Sequence, residues 1–517
     1  MSAPLLERAV TPEAPSTTDR KFEPGWPEQG DGQPTSTSGT SYLEPGAKSR
    51  GFCYPAETRI GAPGGGTSIE AFVRAALEEA RDARALAVVR IPAPRASLDT
   101  PLRALRKGTS VCWRPPEGPS MAAVGRAAEL VLTGPDRFRA LAPASDALFA
   151  RILRRTHPDA SEAAPRLFGG WAFASGGAET TPWDGFGDGR FVLPRWTYEH
   201  AGGRATLTLA VDMADGWAGR IRVVGEELAV LLGALSAPAR LEPETPAIVR
   251  VDRSSRDAWA ALVRGITGAV ASGTLQKAVA SRRVDVRTER DVDPWTVLRR
   301  LSLRYPSTYR FGLRFGGGSF VGATPERLFE KRGRSVITDA LAGSIAASAP
   351  DAERRLSASA KDQREHRPVV EHLLAQLGPL AEAIEVPSEP VIRRLPNVLH
   401  LQTSVRATLR PGVHAADVAA ALHPTPAVGG VPAVAAAAHI AAAEAHARGW
   451  YCGPVGWIDA DGHAELVVAL RCGVLRGASA WLYAGGGIVE GSEPDAEWEE
   501  TELKLRPLLD ALGAGAP

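Results

Sequence analysis

Apolar residues recur at helical spacing at Ile69, Phe72, Val73, Ala76 and Leu77, so the chain is expected to enter ordered structure as a helix beginning near Ser68. Leu86–Ile91 is an apolar run of strand length, and Ser110–Arg114 is another, stopped by Pro115 and Pro116. Met121–Leu132 is rich in alanine and predicts a helix. Arg166–Phe173 and Arg190–Tyr198 predict buried strands, and Thr206–Asp212 alternates as a further one. From Arg253 onward helices and strands take turns. Trp259–Ala271 and Trp295–Leu303 predict helices, and Lys277–Val286 and Ser335–Thr338 predict strands. Tyr309–Phe315 and Ser319–Ala323, joined through Gly316 and Gly317, predict a hairpin. Strands linked in this way imply an α+β chain with largely antiparallel sheets and helices outside.

The pattern fails before about residue 66. Proline, serine, threonine and glycine dominate there, and too few apolar side chains are present to offset the entropy of ordering. Residues 1–66 are expected to be a disordered tail and 67–517 a single domain, with no linker between about 70 and 512. The stretch Val431–Ala447 is mostly alanine but carries His439, Glu444 and His446, which predicts an amphipathic or buried helix and not a membrane span.

Hydrophobic residues at 44% and charged residues at 23% are the proportions of a soluble globular protein. A net charge of +1 gives no global field to attract nucleic acid or a membrane. Cys53, Cys112, Cys452 and Cys472 stand in no zinc-binding spacing and predict reduced thiols in the cytoplasm. The first residues lack the apolar core of a signal peptide.

Candidate chemistry is densest toward the C-terminus. Pro494 suits a first helical turn and Ser492 is a plausible cap. Glu497, Glu500 and Lys504 then share one helix face. Paired carboxylates near a helix N-terminus suit a hard divalent cation, or else form a solvated acidic start in which Lys504 pairs with Glu500. Glu365, four residues before Val369 and eight before Leu373, continues the core-facing stripe of a second helix, which Pro368 interrupts. Lys277 opens a strand of small and apolar residues, where desolvation favours the neutral amine of a general base; a strand-end lysine reaching solvent is the plainer reading. Glu326 sits at a strand end, where an anionic ligand would raise its pKa, unless Arg327 pairs with it. His400 is flanked by apolar residues. Arg471 follows an apolar strand as a fork for a carboxylate. Gly485, Gly486 and Gly487 follow the strand from Trp481 and let backbone N–H groups approach a ligand.

Taken together, several segments resemble the chorismate-utilising enzymes, and among them the isochorismate synthases. They are Lys277-Ala-Val-Ala-Ser-Arg, Gly322-Ala-Thr-Pro-Glu-Arg-Leu, Leu341-Ala-Gly-Ser, Lys361-Asp-Gln-Arg-Glu-His, His400-Leu, and the block from Leu422 to Lys504. The match is strong over 250–512 and weaker back to about 70. The resemblance implies a sandwich of two sheets with the site between them, Mg²⁺ as cofactor, and chorismate as substrate. It assigns Glu365 and Glu500 to the metal with Glu497 beside them, Lys277 as general base, and Glu326 as general acid. It places Tyr451, Arg471 and Gly485 at the enolpyruvyl carboxylate. Gly343 and Ser344 fall beneath the ring, His400 near it, and Lys504 at the site. It further implies a monomer or weak homo-oligomer without nucleic acid or membrane, feeding menaquinone or siderophore synthesis. Salicylate synthase and ammonia-using anthranilate or aminodeoxychorismate synthases are the alternatives. Lys277 favours a water-using member, because water needs a base. Two departures stand near the metal: Gln363 replaces the usual arginine, and Pro368 is unusual in that helix.

Overall fold

The computed structural model describes residues 68–514 except 84, 106–107, 214–216, 239–243 and 395–397, and omits the side chains of 217–219, 361 and 365. The expected tail and Cys53 lie outside the described residues. The first helix, Ile69–Asp82, is capped by Ser68, whose hydroxyl accepts from the Ala71 amide at 3.2 Å, and it buries Val73, Ala76, Leu77 and Ala80. No described helix is long and apolar enough to cross a membrane.

Among the described residues, two sheets, of thirteen and ten strands, organise the fold. The larger begins at Ile248–Arg253 and continues through Lys277–Thr288, Ser479–Ile488, Cys472–Arg476, Gly318–Thr324 and Tyr309–Phe315. It then passes to strands from the first half of the chain: Ser110–Arg114, Ser120–Val124, Trp196–Ala201, Arg204–Asp212, Leu86–Pro92 and Ile152–Thr156. The smaller runs Ala381–Glu385, Val398–Leu409, Ser335–Ala346, Arg327–Arg332, Ala464–Val468, Pro454–Asp459, Arg166–Trp171, Gly189–Leu193 and Ala128–Leu132. Leu86–Pro92 pairs in parallel with Ile152–Thr156, while Lys277–Thr288 with Ser479–Ile488, Gly318–Thr324 with Cys472–Arg476, and Ser335–Ala346 with Val398–Leu409 pair antiparallel. Trp113, Phe311, Phe320 and Val474 from the larger sheet join Phe168, Phe329, Val455 and Leu466 from the smaller in one core. Each such aromatic or aliphatic side chain contributes about 1.5–3 kcal/mol on burial.

The chain crosses between the sheets at places that the apolar pattern does not announce. Arg190–Tyr198, expected as one strand, divides around Pro194: Gly189–Leu193 lies in the smaller sheet and Trp196–Ala201 in the larger. Met121–Leu132 is not a helix. It forms Ser120–Val124 in one sheet and Ala128–Leu132 in the other, turning at Gly125 with φ +71°. Alanine's helical preference is at most about 0.7 kcal/mol per residue over ordinary residues. The paired edges of Ser110–Arg114 and Trp196–Ala201 and complete burial of Met121–Val124 outweigh it. The alanine-rich segment after Val431 forms the helix Ala433–Ala443, which buries Ala436 and Ile440 on one side but exposes alanines and Val434 on the other, so it is neither amphipathic nor fully buried.

Candidate active site

Two sheet crossings lie side by side and carry candidate site residues. Thr324 ends a strand of the larger sheet, Arg327 begins one of the smaller, and Glu326 stands between them. The neighbouring crossing leaves the smaller sheet at Val468 and enters the larger at Cys472, with Arg471 between. Thr324 Oγ1 donates to the Val468 carbonyl at 2.7 Å, and the Val468 amide donates to the Glu326 carbonyl at 3.1 Å. The Ala323 amide donates to the Arg471 carbonyl at 3.1 Å. Arg471 and Cys452 adopt left-handed backbone, φ +47° and +64°, which costs about 1–3 kcal/mol each in a non-glycine residue. Bonds from the Cys452 amide to Ala469 O and from the Ala469 amide to Gly453 O, each 2.9 Å, hold the two turns together.

Glu326 is 8% exposed. Arg327 does not pair with it but turns to Asp339 at 2.8 Å and Glu330 at 3.1 Å. Burial pushes the Glu326 carboxyl up to about 7, against the opposing pull of Lys277 and Lys504. Lys277, half-buried, opens the strand Lys277–Thr288 and passes over Gly487: a methyl group there would come within 2.7 Å of Cε and 3.1 Å of Nζ. The three glycines thus lie inside the strand Ser479–Ile488, not after it. Each leaves room for a different group. A methyl on Gly485 would meet the Ala280 carbonyl at 2.5 Å and then Tyr451 Oη at 3.0 Å, and one on Gly486 would meet Glu497 Oε2 at 2.9 Å. The parts played by Gly486 and Gly487 were missed in the sequence. The only signal was the run itself, since consecutive strand positions alternate faces.

The helix Pro494–Leu512 borders the other side. Its N-cap is Glu493, without a side-chain bond. Ser492 does not cap it, because its hydroxyl accepts from the Val489 amide at 3.2 Å and donates to Glu497 Oε1 at 2.9 Å. Lys504 Nζ donates to the Gly485 carbonyl at 2.7 Å and pairs with Glu500 at 2.6 Å. The Lys504 charge holds the half-exposed Glu500 below the usual carboxylate range, with Arg471 and His400 helping and partial burial opposing.

Ser344 and His400 are direct partners across the strands Ser335–Ala346 and Val398–Leu409, and Ser344 Oγ lies 2.8 Å from His400 Nδ1. The register slips between Ala342 and Ser344, at Gly343, with φ +79°. A side chain at Gly343 would press on Asp362, with Cβ atoms 3.0 Å apart. Burial, then the charges of Arg471 and Lys504, lower the His400 pKa to about 4, so the ring is neutral near pH 7. Its Nε2 is buried and has no hydrogen-bond partner among the described residues. Tyr451 is buried and stacks on Tyr483 at 5.3 Å.

Lys277, Glu326, Lys504, Glu500, Arg471 and His400 thus form one continuous electrostatic neighbourhood, with Tyr451 and Gly485 against it. Glu365 is on the helix Ala360–Leu377, but its side chain lies outside the described residues. That helix continues unbroken through Pro368, and Gln363 turns away to the Ser357 carbonyl at 3.2 Å. Among the described residues no cluster of three acidic, histidine or cysteine ligands exists. The available donors are carboxylate oxygens, and Glu500 is held in its ionised form, which is the chemistry that a hard divalent cation accepts.

The family model for chorismate binding enzymes matches residues 75–513. The chain therefore belongs to the chorismate binding enzymes, and within them to the isochorismate synthases. It is 37% identical over 359 residues to the salicylate biosynthesis isochorismate synthase of Pseudomonas aeruginosa, covering 68% of this chain and 75% of that protein. Isochorismate synthase MenF of Bacillus subtilis is 32% identical over 358 residues, covering 68% and 76%. Among solved structures, the menaquinone-specific isochorismate synthase from Escherichia coli superposes with a TM-score of 0.70 at 26% identity, covering 85% of this chain and 99% of that one.

Proposed function

We propose that this enzyme converts chorismate to isochorismate, an isomerisation by water attack at C2 and loss of the C4 hydroxyl. One observation carries the reading: a buried carboxyl pushed up to about 7 lies within electrostatic reach of a lysine that opens a strand. Lys277 takes a proton from the attacking water. Glu326, protonated near neutral pH, gives its proton to the departing C4 hydroxyl, and the ring double bonds shift between the two carbons. Arg471 and Tyr451 receive the enolpyruvyl carboxylate, beside the Gly485 backbone. Neutral His400 directs its unpartnered Nε2 toward the ring, with Gly343 and Ser344 below it. Lys504 fixes the glycine strand and keeps Glu500 ionised.

Glu500 and Glu365, with Glu497 beside them, would hold Mg²⁺. When bound, the cation supplies a positive partner for a substrate carboxylate. The enzyme acts in the cytoplasm on a small molecule, as a monomer or weak homo-oligomer, and its product feeds menaquinone or siderophore synthesis. Incubation with chorismate and Mg²⁺, followed by chromatography, tests the assignment. Isochorismate in equilibrium with chorismate, lost on adding EDTA, is the expected result, and Lys277→Ala is expected to lower turnover by at least about a hundredfold. Salicylate with pyruvate, or full turnover by Lys277→Ala, would overturn it.

A further inference from the structure

The strand Lys277–Thr288 pairs with Ser479–Ile488 along one edge, from Ala278 to Arg287. Its other edge is covered by Gly430–Val431 at Lys277 and Ala278, and by Ile248–Arg253 from Val284 onward. Between those two partners no described strand covers it. Backbone groups left open at a strand edge must find other partners or water. Here the Val279 amide reaches Gly429 O at 2.9 Å, and an ion pair takes the next two groups. Arg448 Nη2 donates to the Val279 carbonyl at 2.7 Å, and Glu444 Oε1 accepts from the Ser281 amide at 2.8 Å. Both side chains are 3% exposed, and Arg448 Nε donates to Glu444 Oε2 at 2.8 Å.

The same arginine reaches two other segments. Its Nη1 donates to the Val428 carbonyl at 2.8 Å, and its own carbonyl accepts from the Tyr451 amide at 3.0 Å. One buried charge pair therefore stands in for a missing strand and joins the strand opened by Lys277 to the turn that carries Tyr451.

We propose that the Glu444–Arg448 pair is a positioning device for the reaction, fixing the general base and the carboxylate-binding turn relative to each other. This rests on the roles proposed above for Lys277 and Tyr451. The pair touches no reacting atom, and it acts only through the segments it joins.

The test compares Glu444→Gln with the unaltered enzyme in three measurements. Amide hydrogen exchange is expected to quicken together at Ser281 and Tyr451, while the far strands Leu86–Pro92 and Arg204–Asp212 keep their rates. Turnover per folded enzyme is expected to fall about tenfold or more, since ångström-scale misplacement of a catalytic group has effects of that order. In the Lys277→Ala background the same substitution is expected to cause a smaller fold loss than in the unaltered enzyme, because the base is gone and only the share carried through the Tyr451 turn remains. Faster exchange at Ser281 alone, a loss that multiplies with that of Lys277→Ala, or a lower melting temperature with unchanged turnover would each overturn the proposal. If the unaltered enzyme makes no isochorismate, the functional reading fails while the exchange experiment still decides the coupling. Should Glu444→Gln not fold, Arg448→Lys keeps the charge but loses the fork that spans Val279, Val428 and Glu444, and is read in the same way.

Discussion

Two carboxylates of the candidate site meet opposite fates. Glu326 is buried at a sheet crossing, its neighbouring arginine is engaged elsewhere, and its pKa climbs to about 7. Glu500 is half exposed on a helix, four residues from a lysine that bonds it at 2.6 Å, and its pKa falls. One is thereby set to carry a proton and the other to carry a charge. The difference comes from placement, because the two side chains are chemically identical. A fold that changes sheets beside a helix start supplies both environments within one site.

The largest expected effect comes from removing the proton that distinguishes them. Glu326→Gln should lower kcat by about 10²–10⁴ and leave KM within a few fold, measured by isochorismate formation. Next comes the space that Lys277 occupies. Gly487→Ala places a methyl against Cε and Nζ of a flexible side chain, so the fold should tolerate it while the amine shifts. A drop in kcat of about tenfold at an unchanged melting temperature is expected, since a misplaced reacting group is costly and a displaced lysine tip is not. Lys504→Met removes the charge that keeps Glu500 ionised. The acid limb of metal binding, followed by titration calorimetry, should therefore move to higher pH in the variant.

The pH dependence sharpens the same contrast with the smallest intervention. With Glu326 as the proposed general acid, kcat/KM should fall as pH rises through about 7, and Glu326→Gln should lack that limb. The sign for stability follows as well. A carboxyl whose folded pKa is raised binds its proton more readily in the native state. Its contribution is fully present below the ordinary carboxyl pKa and declines as pH climbs to about 7. Melting temperatures across that interval should fall more steeply for the native enzyme than for Glu326→Gln.

Much of this site could be read along the chain because its residues sit in short, dense segments. Helical spacing put Glu497, Glu500 and Lys504 on one face, but it left a solvated acidic helix start open, as strand-end position left plainer readings open for Lys277 and Glu326; the family resemblance singled them out. What the chain did not announce is where strands change sheets. Arg190–Tyr198 reads as one apolar run, yet it divides at Pro194, because both halves are buried and burial leaves the same pattern in either sheet. Met121–Leu132 misled for a related reason, since alanine fits a crowded strand centre as well as a helix. The Glu444–Arg448 pair also escaped notice, as its partners are backbone groups whose openness depends on strands distant in sequence.

The order of strands in the larger sheet has a practical consequence for dissecting this enzyme. Tyr309–Phe315, three strands from the glycine-bearing strand Ser479–Ile488, hydrogen-bonds along its other edge to Ser110–Arg114, with Phe311 opposite Trp113. A fragment trimmed to 250–517 would retain nearly every side chain assigned to the chemistry, yet expose that edge as a raw template for self-association. The portion of the gene that encodes the reaction is not a transplantable cassette, because its scaffold is woven from both halves of the chain.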